Sequence, residues 1–130
     1  MDDLLKDTGY SNKAIEYYTK KVNVGKIVNP SVELSYTGHC GDTMKMYLTI
    51  NSGIIKEAKF EAIGCAGAFS AGSALLEMIK GKYIIEAENI NTEDIIEHLG
   101  GVPDTKIDCV RLARKTFEKT LQLFKEKKSK

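Results

Sequence analysis

The clearest alternation of apolar and polar positions runs through Met44-Lys45-Met46-Tyr47-Leu48-Thr49-Ile50. Met44, Met46, Leu48 and Ile50 fall on one face of an extended chain and Lys45, Tyr47 and Thr49 on the other, which predicts a half-buried strand. Asn51-Ser52-Gly53 has the composition of a hairpin turn. Ile54 to Ile63 then returns as a further strand, with Ala58, Phe60 and Ala62 on one face. Upstream, Pro30 precedes a shorter alternating run, Val32-Glu33-Leu34-Ser35-Tyr36. Together these predict a three-stranded antiparallel meander.

Elsewhere the apolar positions recur at helical spacing. Ser11 is placed to cap a helix running to about Lys20, with Ala14, Ile15, Tyr17 and Tyr18 supplying apolar area, and Asn23 and Gly25 are expected to stop it. Ala66 to Lys80 predicts a long helix closed by Gly81. Its first half is unusually small, with Ala66, Gly67, Ala68, Ser70, Ala71, Gly72, Ser73 and Ala74, and its second packs through Leu75, Leu76, Met78 and Ile79. A turn is expected at Ile84 to Glu88, then a helix capped by Thr92, reaching about Leu99 and ended by Gly100-Gly101. The last helix is predicted from about Cys109 to Lys125, with Leu112, Thr116, Phe117, Leu121 and Phe124 on its core face. Strands followed by helices predict an α+β domain, with the helices on one face of the sheet. Residues 1–130 are expected to form one domain, with 1–9 loosely held.

Composition narrows the function class more than the fold. A chain of 130 residues with 42% hydrophobic content can bury a core. The net charge of +1 implies no polyanionic partner, and the basic tail from Lys125 to Lys130 suits a solvated helix C-terminus. No nucleic-acid partner is expected. The acidic start Met1-Asp2-Asp3-Leu4-Leu5-Lys6 does not have the form of a secretory signal, and no run approaches the ~20 apolar residues of a membrane span. The three cysteines form no close pair. A cytoplasmic location, where thiols stay reduced, is therefore expected.

These three cysteines carry the chemistry. Cys40 opens Cys40-Gly41-Asp42, Cys65 lies in Gly64-Cys65-Ala66-Gly67, and Cys109 follows Asp108. Each falls at an element boundary, and such boundaries can converge at one end of a sheet. Helix N-termini favour the thiolate, and glycines let backbone approach a ligand closely. Three thiolates with a carboxylate suit zinc or an iron–sulfur cluster, held less firmly than by four cysteines. Two roles are open to Asp42, a metal ligand or a turn residue. Two are open to Asp108, a helix N-cap or an oxygen ligand. His39 adjoins Cys40, as ligand or solvated loop residue, whereas His98 is expected on the exposed side of its helix. Lys106 is a surface lysine or a partner for the negative charge of the site. A cysteine hydrolase would need a histidine base; His39 is the sole candidate, and no oxyanion motif accompanies it.

The same segments resemble a known family. Gly38-His39-Cys40-Gly41-Asp42-Thr43-Met44-Lys45, Gly64-Cys65-Ala66-Gly67-Ala68 and Lys106-Ile107-Asp108-Cys109, with Asn23-Val24-Gly25 near the start, are similar to motifs of the iron–sulfur cluster scaffolds IscU and the N-terminal domain of NifU. The resemblance spans roughly residues 10 to 127. The sister scaffold SufU carries an insertion between its second and third cysteines, and the spacing here is the shorter, IscU-like one.

The resemblance implies a scaffold, not an enzyme. It implies that Cys40, Asp42, Cys65 and Cys109 bind iron or a [2Fe–2S] cluster, and that Asp42 keeps the cluster labile. It also implies that Cys109 accepts sulfur as a persulfide from a cysteine desulfurase, with Lys106 beside the site, and that the cluster passes to apo-proteins. The alternative is a zinc-binding sulfur acceptor of the SufU kind. Two departures stand out. The family usually places histidine where Asp108 stands, so Asp108 is a possible substitute ligand. The Leu-Pro-Pro-Val-Lys segment gripped by a dedicated chaperone is Val102-Pro103-Asp104-Thr105-Lys106 here, which leaves the chaperone open. A homodimer sharing one cluster is also open.

Overall fold

The computed structural model describes residues 10–38 and 41–128. In chain order it contains α1 (Asn12–Lys20), β1 (Val32–Thr37), β2 (Thr43–Asn51), β3 (Ile54–Ile63), α2 (Ala66–Ile79), α3 (Ile84–Glu88), α4 (Thr92–Leu99), a 3-10 turn (Asp104–Lys106) and α5 (Ile107–Lys128). The sheet has the order β1-β2-β3 and is antiparallel throughout. Helix α5 packs on β1 and β2 and α2 on β3, giving the expected α+β arrangement. Among the described residues no helix is long and apolar enough to cross a membrane.

The alternation in β2 holds where it is strongest. Met44, Met46 and Leu48 are fully buried, as is Phe60 opposite Met46. Beyond Leu48 the pattern breaks. Thr49 faces Glu57 but Ile50 faces Ile55, so β3 carries one extra residue, Lys56, in a bulge. This reverses the facing of the strand and buries Ile55 completely. Tyr47, expected on the solvent side, is only 3% exposed. It stays on the outer face between its cross-strand partners Glu33 and Lys59. Its hydroxyl donates to Glu61 Oε1, and Lys45 Nζ lies 5.2 Å from its ring centroid, so its neighbours cover it. Ser52 and Gly53, with φ of 54° and 78°, close the hairpin as a two-residue turn in the left-handed region.

Ser11 caps α1 as expected, accepting from Ala14 N–H at 3.0 Å and donating to Leu99 O. The helix ends at Lys21, before Asn23 and Gly25. These two residues do something else. Phe60 N–H donates to Asn23 O at 3.0 Å and Gly25 N–H to Phe60 O at 2.8 Å, so Val24 forms a parallel bridge on the outer edge of β3. The Asn23 amide also donates to Ser73 O at 3.1 Å. The small-residue face of α2 explains its composition. Ser70 donates to Ala14 O and Ser73 to Val22 O, which docks α1.

Three helical elements differ from expectation. Asn91, not Thr92, caps α4, accepting from Asp94 N–H while Asp94 accepts from Asn91 N–H. Ile84–Glu88 is a short helix rather than a turn. The 3-10 turn leads directly into α5 at Ile107, so Asp108 and Cys109 lie inside its first turn and Asp108 is not its N-cap.

Candidate metal centre

Two glycines shape this site. Cys65 is the N-cap of α2, directly after β3. Asp42 precedes β2, in a turn closed by Gly38 N–H donating to Asp42 O and Gly41 N–H to Gly38 O, each at 3.0 Å. Gly41 takes φ of 94° there, a conformation that L side chains resist. Strand β2 pairs with β3 so that Thr43 faces Ile63, which brings Asp42 beside Gly64-Cys65. A Cβ on Gly64 would lie 2.5 Å from Asp42 Cγ; only glycine admits the carboxylate. Cys109 enters from the first turn of α5. A Cβ on Gly67 would lie 3.1 Å from its sulfur and 2.9 Å from the hydroxyl of Tyr10.

The resulting donor atoms are close. Cys65 Sγ stands 3.2 Å from Cys109 Sγ and 3.6 Å from Asp42 Oδ2. The ligand atoms of Asp42, Cys65 and Cys109 all lie within 4.8 Å of one another. Both cysteines are free thiols, Cys109 buried and Cys65 half-buried. Two sulfurs in contact share one proton more readily than they hold none. The Cys65 thiol is lowered to about 5, first by the hydrogen bond from Cys109 and then, against burial, by the Ala68 amide, the Lys106 ammonium and the Gly67 amide. Cys109 moves well above the usual thiol range, because it gives that hydrogen bond, is buried and faces the Cys65 charge. The thiol pair is therefore a monoanion at neutral pH.

Alkylation tests this. Iodoacetamide should label the Cys65 peptide of metal-free protein down to about pH 5, because only the thiolate reacts. Labelling that disappears as pH falls through the ordinary thiol range would show that the sulfurs do not share a proton.

Of the residues singled out in the sequence, Asp42, Cys65 and Cys109 come together, and Lys106 stands near enough for its charge to favour both thiolates. Cys40 and His39 lie outside the described residues. Asp108 Oδ1 is 3.2 Å from Arg111 Nη1, and the donor group formed among the described residues does not include it. His98 is not simply exposed on its helix. Its Nε2 is 2.9 Å from Tyr17 Oη, and the two rings stack, tying α4 to α1.

Tyr10 was not legible as a site residue. It precedes the N-cap of α1, yet its hydroxyl reaches Cys65 and the Gly67 amide. Its pKa is pushed up to about 12, first by burial and then by the charges of Cys65 and Cys109. An aromatic residue just before a cap is the only signal it left, and that ordinarily indicates packing on the helix.

Comparison with known proteins agrees with this geometry. The NifU-like N terminal domain family matches residues 9–130. The chain is 39% identical over 123 residues to an iron-sulfur cluster assembly scaffold protein IscU of Buchnera aphidicola, covering 91% of this chain and 97% of that protein. It is 37% identical over 124 residues to the IscU of Azotobacter vinelandii, covering 92% and 96%. A crystal structure described as a putative iron-sulfur cluster assembly scaffold protein for the SUF system, from Fervidobacterium islandicum, superposes with a TM-score of 0.71 at 27% identity over 86% of this chain and 96% of that one. A NifU-like N-terminal protein of Brucella abortus has the same fold, with a TM-score of 0.70 at 15% identity, over 95% and 98% of the two chains. With the family match running over nearly its whole length, this chain belongs to the NifU-like N-terminal domain family.

Proposed function

We propose that this protein is a scaffold on which an iron–sulfur cluster is assembled and from which it is passed to apo-proteins. The observation that carries this reading is the convergence of Asp42, Cys65 and Cys109 within 4.8 Å. Thiolates select iron–sulfur chemistry, and the single carboxylate is a weaker partner for it. In this reading Cys40 completes the ligand set and the cargo is a [2Fe–2S] cluster. The chain acts as a carrier rather than an enzyme, working in the cytoplasm. Sulfur arrives from a cysteine desulfurase as a persulfide, with Cys109 as acceptor. Cys109 is only 5% exposed, so it has to become more accessible for delivery. Lys106 offsets the charge that accumulates on the thiolates.

The second reading is a zinc-binding sulfur acceptor, which the likeness to the SUF-system protein and a donor set suited to tetrahedral zinc support. One experiment separates them. Metal-free protein is incubated anaerobically with a cysteine desulfurase, cysteine, a dithiol reductant and equal amounts of ferrous iron and zinc, and then assayed for iron, zinc, sulfide and visible absorption. The scaffold reading expects equal amounts of iron and sulfide, a charge-transfer spectrum and transfer to an apo-ferredoxin. Tightly held zinc with no sulfide uptake would establish the second reading instead.

The same assay places Asp108. Its carboxylate lies beside Arg111 at the start of α5, where an acid also suits the helix dipole. Asp108→Asn is expected to leave iron, sulfide and spectrum unchanged and to cost less than about 1 kcal/mol. A shifted spectrum would make Asp108 a ligand in place of the family histidine.

A further inference from the structure

We propose that the metal-free Cys65–Cys109 pair can discharge a persulfide by itself, releasing sulfide and closing to an internal disulfide. This rests on the proposed receipt of sulfur by Cys109, and goes beyond it by assigning a reaction to the neighbouring thiol. The relevant distance is 3.2 Å between the two Sγ atoms, within the separation of about 3–3.5 Å from which a bound nucleophile can attack. A persulfide on Cys109 has two sulfurs, and the one that Cys65 already touches is the inner one, Cys109 Sγ. Attack there is ordinary thiol exchange with hydrosulfide as leaving group.

The step balances without a further reagent. The bond formed is Cys65 Sγ–Cys109 Sγ, and the bond broken joins Cys109 Sγ to its outer sulfur. The outer sulfur gains two electrons and leaves as hydrosulfide, while the two cysteine sulfurs are oxidised together to the disulfide. Cys65 attacks as a thiolate, so no proton has to leave it, and the outer sulfur keeps its own proton as it departs as hydrosulfide. Asp42 Oδ2, 3.6 Å from Cys65 Sγ, flanks the attacking sulfur. A metal bound to Cys65 occupies the attacking lone pair and preserves the persulfide. The pair thus distinguishes a loaded scaffold from an empty one, and a dithiol reductant is needed before an emptied scaffold can be used again.

The test uses metal-free, fully reduced protein and glutathione persulfide as donor, with small molecules removed by gel filtration immediately after loading. Sulfide release is followed with time, and cysteine-containing peptides are mapped under non-reducing conditions. One sulfide is expected per Cys65–Cys109 disulfide. In Cys65→Ser the sulfur adduct should persist on Cys109, with sulfide release at least about tenfold slower. The wild-type stoichiometry and the identity of the linked peptides stand even if that variant folds poorly. An adduct on wild-type Cys109 as long-lived as in Cys65→Ser, or a disulfide that joins Cys40 instead, would overturn the discharge reaction while leaving Cys109 as acceptor. Absence of any adduct or disulfide on Cys109 in both proteins would overturn the acceptor assignment, and the discharge reaction with it.

Discussion

Replacing Phe60 with alanine is expected to remove about 3–5 kcal/mol of folding stability. The ring is fully buried and lies opposite Met46 across the β2–β3 pair. Two of its atoms stand 2.7 Å from where a Cβ on Gly72 would be, so the ring rests against the backbone of α2. Phe69 packs on it as well, with ring centroids 6.1 Å apart. Its own backbone holds the Asn23–Gly25 bridge. A cavity bounded by helix and sheet backbone collapses poorly, which places the cost at the upper end for such truncations. Typical stability is only about 5–15 kcal/mol, so the variant should be marginal. Denaturant unfolding would show a large drop in midpoint at unchanged slope. A loss under about 1 kcal/mol would mean that α2 settles onto the sheet without the ring. The complementary change, Gly72→Ala, overfills the same contact and should cost about 1–3 kcal/mol. Combining it with Phe60→Leu should recover part of that loss, as expected for residues in contact.

This contact also shows what a single sequence reveals and what it hides. The alternation of Met44, Met46 and Leu48 is a property of one strand, and it located β2 and its buried face. The reversal at Lys56 is a property of a pair of strands: it exists only because Ile50 meets Ile55 after Thr49 has met Glu57. Ser11 could be recognised as a cap because capping is local. The start of α5 could not be placed, because the 3-10 turn before it continues into the helix without a break. Asn91 and Thr92 are both good caps, and the reciprocal contact with Asp94 decides between them.

At the site the same division applies. The cysteines and Asp42 stood out because their chemistry is unusual in those positions. The glycines beside Cys65 were recognisable as allowing close approach, but not what approaches. Gly64 makes room for a carboxylate from another strand, and Gly67 for a thiol from another helix and a phenol from the chain start. Tyr10 contributes through that tertiary packing alone, and for that reason no motif announced it.

Gly64→Ala is accordingly expected to reproduce the loss of Asp42 without altering any donor atom. The added methyl group would sit 2.5 Å from Asp42 Cγ and 2.6 Å from Oδ2, closer than real contacts allow. The backbone of Gly64 is not in the left-handed region, so alanine meets no intrinsic strain there. The carboxylate is the partner that can move, because Cys65 is fixed as the cap of α2. With the oxygen swung away, the thiolates hold the cargo without their weak hard donor. Transfer to an apo-acceptor should then slow by about 10–100-fold, the range seen when a metal site loses a supporting group. Asp42→Ala should slow transfer to the same extent. The double variant should be no slower than either single one, because both changes remove one interaction. Transfer kinetics followed by the visible spectrum, with unfolding curves as a control on the fold, would measure all three proteins. Additive losses would show that Gly64 acts on the cysteines rather than on Asp42. A Gly64→Ala protein that transferred its cluster as fast as the parent would show that the carboxylate can leave the site at no cost, and would reduce Asp42 to a turn residue.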